Sequence, residues 1–390
     1  MKTKTRAKTL IVLAALLTGY GITSSPVRAQ ETERKVEEKT DDTPEKEADS
    51  PAWKEVWDMV KVGTQWYISY GWGEDAGAPY NRTHIGRGYV NIKLVPVEWF
   101  TPRVTIDTHQ EDEGDWKIRL KYLYGKFRWP LETSIITNPY LEFGIVHTPW
   151  FDFEEHINWY RMQGTMFIER NGLLNSADLG LTLGGLIGTK LDKEYRDKVN
   201  PKYPGKYGSF ALGMYNGGGC HAKENNQNKV FQSRLSVRPL GFVLPGLQFS
   251  YLLIYGKGNS AEEPAWLVHT AMASYEHEYF VITGQYAAGQ GNQKGDMLDA
   301  SGAALDFQGF SVFAEIKLPW IKSTLIGRYD WFDWDKDGGD PTATRIIGGF
   351  AFHFLKHNFV LLSYDRVSYA DDTPEAWEVK LSLQVKYPPK

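Results

Sequence analysis

The chain has a single cysteine, Cys220, so no disulfide can form within it. The surrounding "GGGCH" also lacks the C-x-x-C-H spacing of a haem attachment site, and Cys220 reads as an incidental loop thiol. Beyond the N-terminal leader, no stretch reaches the ~18 consecutive apolar residues that a membrane-spanning helix needs. No nucleophile elbow, H-E-x-x-H, P-loop or C-x-x-C pair occurs, so nothing in the motifs points to an enzyme. Positive charge is not in excess either: the net charge is −4. Without the five basic residues of the leader it becomes −9, and residues 31–50 hold nine acids against four bases, so the chain from Pro51 onward is again at −4. That balance argues against a nucleic-acid binder.

The N-terminus carries Lys2, Lys4, Arg6 and Lys8 ahead of the short apolar run "LIVLAALL", with Val27 and Ala29 at the small-residue positions of a cleavage site. Residues 1–29 therefore read as a secretory signal peptide. Residues 30–52 contain almost nothing apolar and cannot offset their ordering entropy, so they read as an acidic, disordered periplasmic tail or a docking arm for an envelope partner. Residues 53–390 form the body of the protein.

What the body has in abundance is alternation. In "TQWYISYGW", Trp66, Ile68, Tyr70 and Trp72 fall on one face and Gln65, Tyr67, Ser69 and Gly71 on the other. "WKIRLKYLY" sets Trp116, Ile118, Leu120, Tyr122 and Tyr124 against Lys117, Arg119, Lys121 and Leu123, and "WEVKLSLQVKY" alternates from Trp377 to Tyr387. This is the period of a strand, not of a helix. About sixteen such segments can be placed, centred near residues 67, 91, 105, 120, 144, 183, 211, 235, 251, 270, 283, 312, 328, 350, 362 and 382. A strand apolar at every second position keeps mean hydropathy low, here −0.43, without arguing against a membrane.

The connections alternate as well. Short links such as "EHEY" and "LKHN" follow even strands, and long polar ones such as "GEDAGAPYNRT" and "NGGGCHAKENNQNK" follow odd strands. Residues 188–206 break the pattern, being long where a short turn is expected. The expectation is an all-β, transmembrane, antiparallel up-and-down β-barrel of about sixteen strands, with short periplasmic turns, long extracellular loops and both termini periplasmic. The last strand, 377–387, should then close the barrel against the first.

Two stretches resemble the phosphate-selective porin O/P family. The first runs from Phe143 to Gly185 and includes Thr148, Pro149, Phe151, Glu154, Phe167, Glu169, Arg170, Asp178, Leu179 and Gly180; the second is "YGSFALGMYNGGG". "LIGRYDWFD" is similar to later strands of that family. The resemblance implies a sixteen-stranded outer-membrane channel, often a homotrimer, with loops folded inward. The family's phosphate-selective members line the pore with arginine and lysine, whereas this chain is net acidic, and no arginine ladder aligns residue by residue.

Lumen-facing charge should tune what passes. The candidates are Lys93, Lys117, Arg119, Lys121, Arg234, Arg238, Arg328, Asp330 and Lys380; the alternative is that they pair with acids across the wall. The segment 150–178 is the candidate constriction, through Asp152, Glu154, Glu155, Arg161, Glu169 and Arg170, with a plug or ordinary strands as alternatives. "DWDKDGGD" places Asp333, Asp335 and Asp337 like the start of a calcium loop, but Thr344 stands where the bidentate glutamate belongs, so it is only a weak metal candidate. Two functions fit. One is a passive channel for small hydrophilic solutes such as phosphate, which needs no cofactor and whose partners are outer-membrane lipid, lipopolysaccharide and, in a homotrimer, its own copies. The other is a barrel sheath around a multihaem cytochrome, whose haems would come from another chain.

Overall fold

The computed structural model describes residues 57–111, 113–338, 342–355 and 357–387. The segments read as a signal peptide (1–29) and an acidic tail (30–52), and the trailing "PPK", lie outside the described residues.

Alternation becomes a two-faced wall. In β1 (Val60–Asp75), Trp66, Ile68, Tyr70 and Trp72 are exposed outward, while Gln65, Tyr67, Ser69 and Gly71 are buried on the other face. The sheet continues antiparallel through β2 (Ala78–Leu94), β3 (Phe100–Gln110), β4 (Trp116–Arg128), β5 (Ile136–His147), β6 (Ala177–Ile187), β7 (Gly208–Tyr215) and β8 (Val230–Val237). It goes on through β9 (Leu247–Lys257), β10 (Ala265–Glu276), β11 (Phe280–Gln290), β12 (Asp306–Leu318), β13 (Ser323–Asp333), β14 (Thr342–Leu355), β15 (Asn358–Tyr369) and β16 (Ala376–Tyr387). All sixteen expected centres lie inside these strands. β16 closes the barrel on β1, from Thr64 opposite Tyr387 to Glu74 opposite Trp377. Closure leaves no edge strand, which in lipid would strand unpaired backbone groups.

The even-to-odd connections share one rim with the start of β1 and the end of β16. That rim carries outward, exposed rings in successive turns: Trp99, Trp129, Tyr207, Phe242, Tyr279, Trp320 and Tyr387. Such a girdle marks the interface of an apolar belt with polar headgroups.

Three features of the wall depart from plain alternation and the expected loop lengths. The first outer connection is not long: β1 and β2 extend to a two-residue turn at Ala76 (φ 49°) and Gly77 (φ 78°). Positive φ at both central residues gives the turn whose twist matches the flanking strands. Second, Lys121 is an extra residue in β4, since Thr105 pairs with Tyr122 but Ile106 with Leu120. This bulge reverses the facing of everything after it. Tyr122 and Tyr124, expected on the lipid face, are buried on the lumen side, and Leu123 faces outward. Third, Gly86 is the extra residue in β2, between Ile85 opposite Ile68 and Arg87 opposite Tyr67. It turns Arg87 and Tyr89 inward.

The lipid face is testable. Leu362 sits mid-β15 between Phe350 and Leu381, exposed outward. Leu362→Arg is expected to destabilise the barrel by about 2–4 kcal/mol, as a charge near the bilayer midplane does. Reversible denaturant unfolding in lipid vesicles measures it.

Candidate functional site

β5 and β6 are joined by residues 148–176, and this connection folds into the barrel. Pro149 offers no backbone donor to continue the ladder, and the chain turns through the one-turn helices α1 (Phe151–Glu154) and α2 (Phe167–Arg170), with a 3-10 turn at Arg161–Gln163 between them. Its apolar side chains, Trp150, Phe151, Phe153, Ile157, Met166, Phe167, Ile168, Leu173 and Leu174, are fully buried. They pack on lumen-side residues of β8 to β13: Val230, Leu252, Ile254, Trp266, Val268, Met272, Val281, Ala287, Phe307 and Phe332. Each such large side chain contributes roughly 1.5–3 kcal/mol on burial, so the connection is a packed layer. The lumen faces of β8 to β13, expected to be polar throughout, carry these apolar residues among buried polar ones such as Gln232, Thr270 and Ser274, and this segment covers them.

Most of the predicted charges hold this layer in place. Glu154 accepts hydrogen bonds from Trp150 Nε1 (2.7 Å) and Gln285 Nε2 of β11 (2.7 Å), and points into the wall rather than the opening. Arg161 bridges Glu155 (3.3 Å) and Glu169 (2.7 Å). Arg170 reaches Asp330 (3.5 Å), which also pairs with Arg328 (2.7 Å), and Arg328 donates to the Thr165 carbonyl (2.9 Å). Arg234 is fully buried; it donates to the Pro149 carbonyl (3.0 Å) and lies over the Phe153 ring (4.2 Å). Arg238, just past β8, bonds Pro245 and Tyr195. As pore-lining residues, Arg234, Arg238, Arg328 and Asp330 are therefore corrected: they face inward but are covered. The reason is that their partners come from segments folded over them.

The other predicted charges divide. Lys93 and Lys121 line open space. Lys117 stands exposed at the end of β4 with Glu111, Arg119 pairs with Asp107 (2.9 Å), and Lys380 pairs with Glu378 (2.8 Å). Asp333 is buried at the end of β13, accepting from the Asp335 N–H (3.3 Å) and from Gln308 (3.3 Å). Among the described residues no three such side chains gather as a metal site, so Asp333, Asp335 and Asp337 form no cation cluster.

The open space lies beside the 148–176 layer, along β1 to β5 and past the chain-end parts of β10 to β14 and β16. A cavity of 860 Å³ and a second of 940 Å³ share four lining residues, Arg103, His147, Asp152 and Lys202. The wall side is a surface of stacked tyrosine and arginine. Arg87 lies 4.7 Å over Tyr89, and Arg103 lies 4.8 Å over Tyr122. Arg103 also donates to Asn91 (2.7 Å) and Thr105 (3.0 Å), which fixes the guanidinium plane. Facing it are Asp152 and Glu155. Burial opposes ionisation of Asp152, but His156, His147, the Tyr203 hydroxyl and Lys202 together hold its carboxyl well below the usual range.

The charge of the lining is opposite to that of the chain. Arg87, Arg103, Lys121, Arg161, Arg196, Lys198, Lys202, Lys317, Lys322 and Lys386 line the first cavity, against Asp152, Glu155, Asp197, Glu276 and Glu315. In the second, Lys93, Arg103, Lys126, Arg128 and Lys202 stand against Glu98, Glu142 and Asp152. Sequence reasoning missed Arg87, Arg103, Lys126 and Lys202. "GRG" around Arg87 was a readable bulge signal.

No family model and no curated protein matches the chain. Solved structures do. A loop-deletion mutant of OmpT, an outer-membrane protein of Vibrio cholerae, is 12% identical with a TM-score of 0.52, over 84% of this chain and 99% of that one. An anion-selective porin from Comamonas acidovorans is 10% identical with a TM-score of 0.55, over 84% and 99%. Salmonella typhi OmpF, in a complex with daunomycin, is 11% identical with a TM-score of 0.56, over 84% and 97%. At such identities the likeness defines the fold: a closed sixteen-strand barrel of the kind seen in outer-membrane porins.

One consequence concerns pH. Glu154 belongs to the inward connection, not to a spanning strand, and burial pushes its carboxyl from 4.5 up to about 7, with Gln285, Arg328 and Trp150 opposing. The folded state thus holds a proton that the unfolded state has released, so stability falls as pH rises from 4.5 through about 7. Glu154→Gln should remove this component, because Gln285 can turn its unpartnered carbonyl toward the new N–H. Thermal unfolding of both proteins across that range checks it: their difference should change with pH.

Proposed function

We propose that the protein is a porin of the bacterial outer membrane: a channel for passive diffusion of small hydrophilic solutes with a preference for anions. The observation that carries this reading is the pair of adjoining cavities beside the 148–176 layer, basic in lining although the chain is net acidic. Fixed charges in a low-dielectric wall concentrate counter-ions, and opposed charges across a neck set a transverse field that discriminates polar solutes. Phosphate, suggested by the sequence resemblance, is one member of the class this lining suits. The outward apolar belt and aromatic rim suit outer-membrane lipid, and a homotrimer follows from the same resemblance. A multihaem cytochrome would have to share the lumen with the packed 148–176 layer, which disfavours the sheath reading.

Planar-bilayer recording in a salt gradient tests the channel. The isolated protein is expected to give discrete conductance steps with a reversal potential on the anion side. Lys121→Glu, at the cavity, should shift that potential toward cations, whereas Lys117→Glu, paired with Glu111 beyond it, should not. No steps, or equal shifts for both variants, would count against the assignment.

A further inference from the structure

The connection from β6 to β7, residues 188–207, springs from the rim that carries the chain ends, opposite the rim from which 148–176 descends. Its neck is tied by the Lys190–Gly205 bridge and by the Lys206 N–H donating to the Thr189 carbonyl (2.7 Å). Between these ties, Asp192 caps the short helix α3 (Lys193–Lys198) by accepting from the Tyr195 N–H (2.7 Å). The tip beyond α3 then enters the lumen and meets the other inward fold. Asn200, buried, donates to the His156 carbonyl (2.9 Å) and to Glu276 of β10 (2.6 Å), while its own carbonyl oxygen accepts from the Lys202 N–H (2.9 Å). Tyr203 donates to Asp152. Its ring also packs edge-on against Phe153, 5.4 Å between centroids.

Lys202 is thereby held in place by its backbone, between Asn200 and Tyr203. Its side chain is exposed, lines both cavities, and has no carboxylate within ion-pair distance among the described residues. We propose that residues 188–207 are a second selectivity element, a strap entering from the rim of the chain ends, and that Lys202 is its specificity-determining residue, favouring anionic solutes at the neck formed with Arg103, His147 and Asp152. Both cavities reach the rim of the chain ends, and a solute in either one lies within range of this ammonium. The charge sits on neither the wall nor the 148–176 layer, so it adds to the basic lining independently of β1 to β5. The inference rests on the channel reading.

The test uses the full chain in planar bilayers under a potassium chloride gradient, with Lys190→Gln, on the same connection, as reference because neither that side chain nor its partner Glu132 lines either cavity. Lys202→Gln is expected to lower the anion-over-cation permeability ratio by about twofold or more, and Lys202→Glu further, through the lost and then reversed field at the neck. Lys190→Gln should leave the ratio unchanged. Lys202→Gln is a conservative change at an exposed position and carries the test even if the charge reversal prevents folding. A wild type that conducts, with Lys202→Gln unchanged or no different from Lys190→Gln, overturns the role of the strap alone. A wild type that forms no pores overturns the channel reading and the strap with it.

Discussion

The structure depends on one packing event: the apolar side of residues 148–176 laid against the lumen side of β8 to β13. A sixteen-strand barrel leaves a wide interior, and an apolar surface there cannot face water without cost. The inward connection covers that surface with Trp150, Phe151, Phe153, Met166 and Phe167. Because it is bound to one side, the open space is displaced to the other. The open space is therefore off-centre, beside the packed layer and not down the middle of the barrel.

Electrostatics follows the same division. On the covered side, charges are consumed by structure: Arg328 with Asp330, Arg161 with Glu155 and Glu169, Arg234 with the Pro149 carbonyl. Removing one member of such a buried set leaves its partner uncompensated, which is where large destabilisation arises. On the open side, Arg87 is stacked on Tyr89 beside the cavity, while Arg103 is itself buried and held by Asn91, Thr105 and the Tyr122 ring. A net acidic chain thus presents a basic lumen, and its overall charge is no guide to selectivity.

Strand number, strand positions and closure were legible in the sequence, because period-2 alternation and the spacing of polar connections are local signals. Facing was legible only up to a bulge. One extra residue at Gly86 and one at Lys121 reversed β2 and β4 partway, so Tyr122 and Tyr124 were placed on the wrong side. The covered wall left a trace in "YLLIY" and "AWLVHTAM", where alternation gives way to apolar residues on both faces. Ion pairing was not legible. Arg170 and Asp330 are 160 positions apart, and Arg328 meets the Thr165 carbonyl across 163, so only the fold brings them together. The oddity at residues 188–206 was visible as a length; its chemistry at Asn200, Lys202 and Tyr203 was not.

The central claim, a lumen covered on one side and open on the other, can be read by thiol labelling of the folded protein in lipid vesicles. In a Cys220→Ser background, a small membrane-impermeant maleimide should react readily with Lys121→Cys on the open wall. It should react with Leu252→Cys beneath the inward layer only after unfolding. Equal reaction rates at the two positions in the folded state would contradict the account.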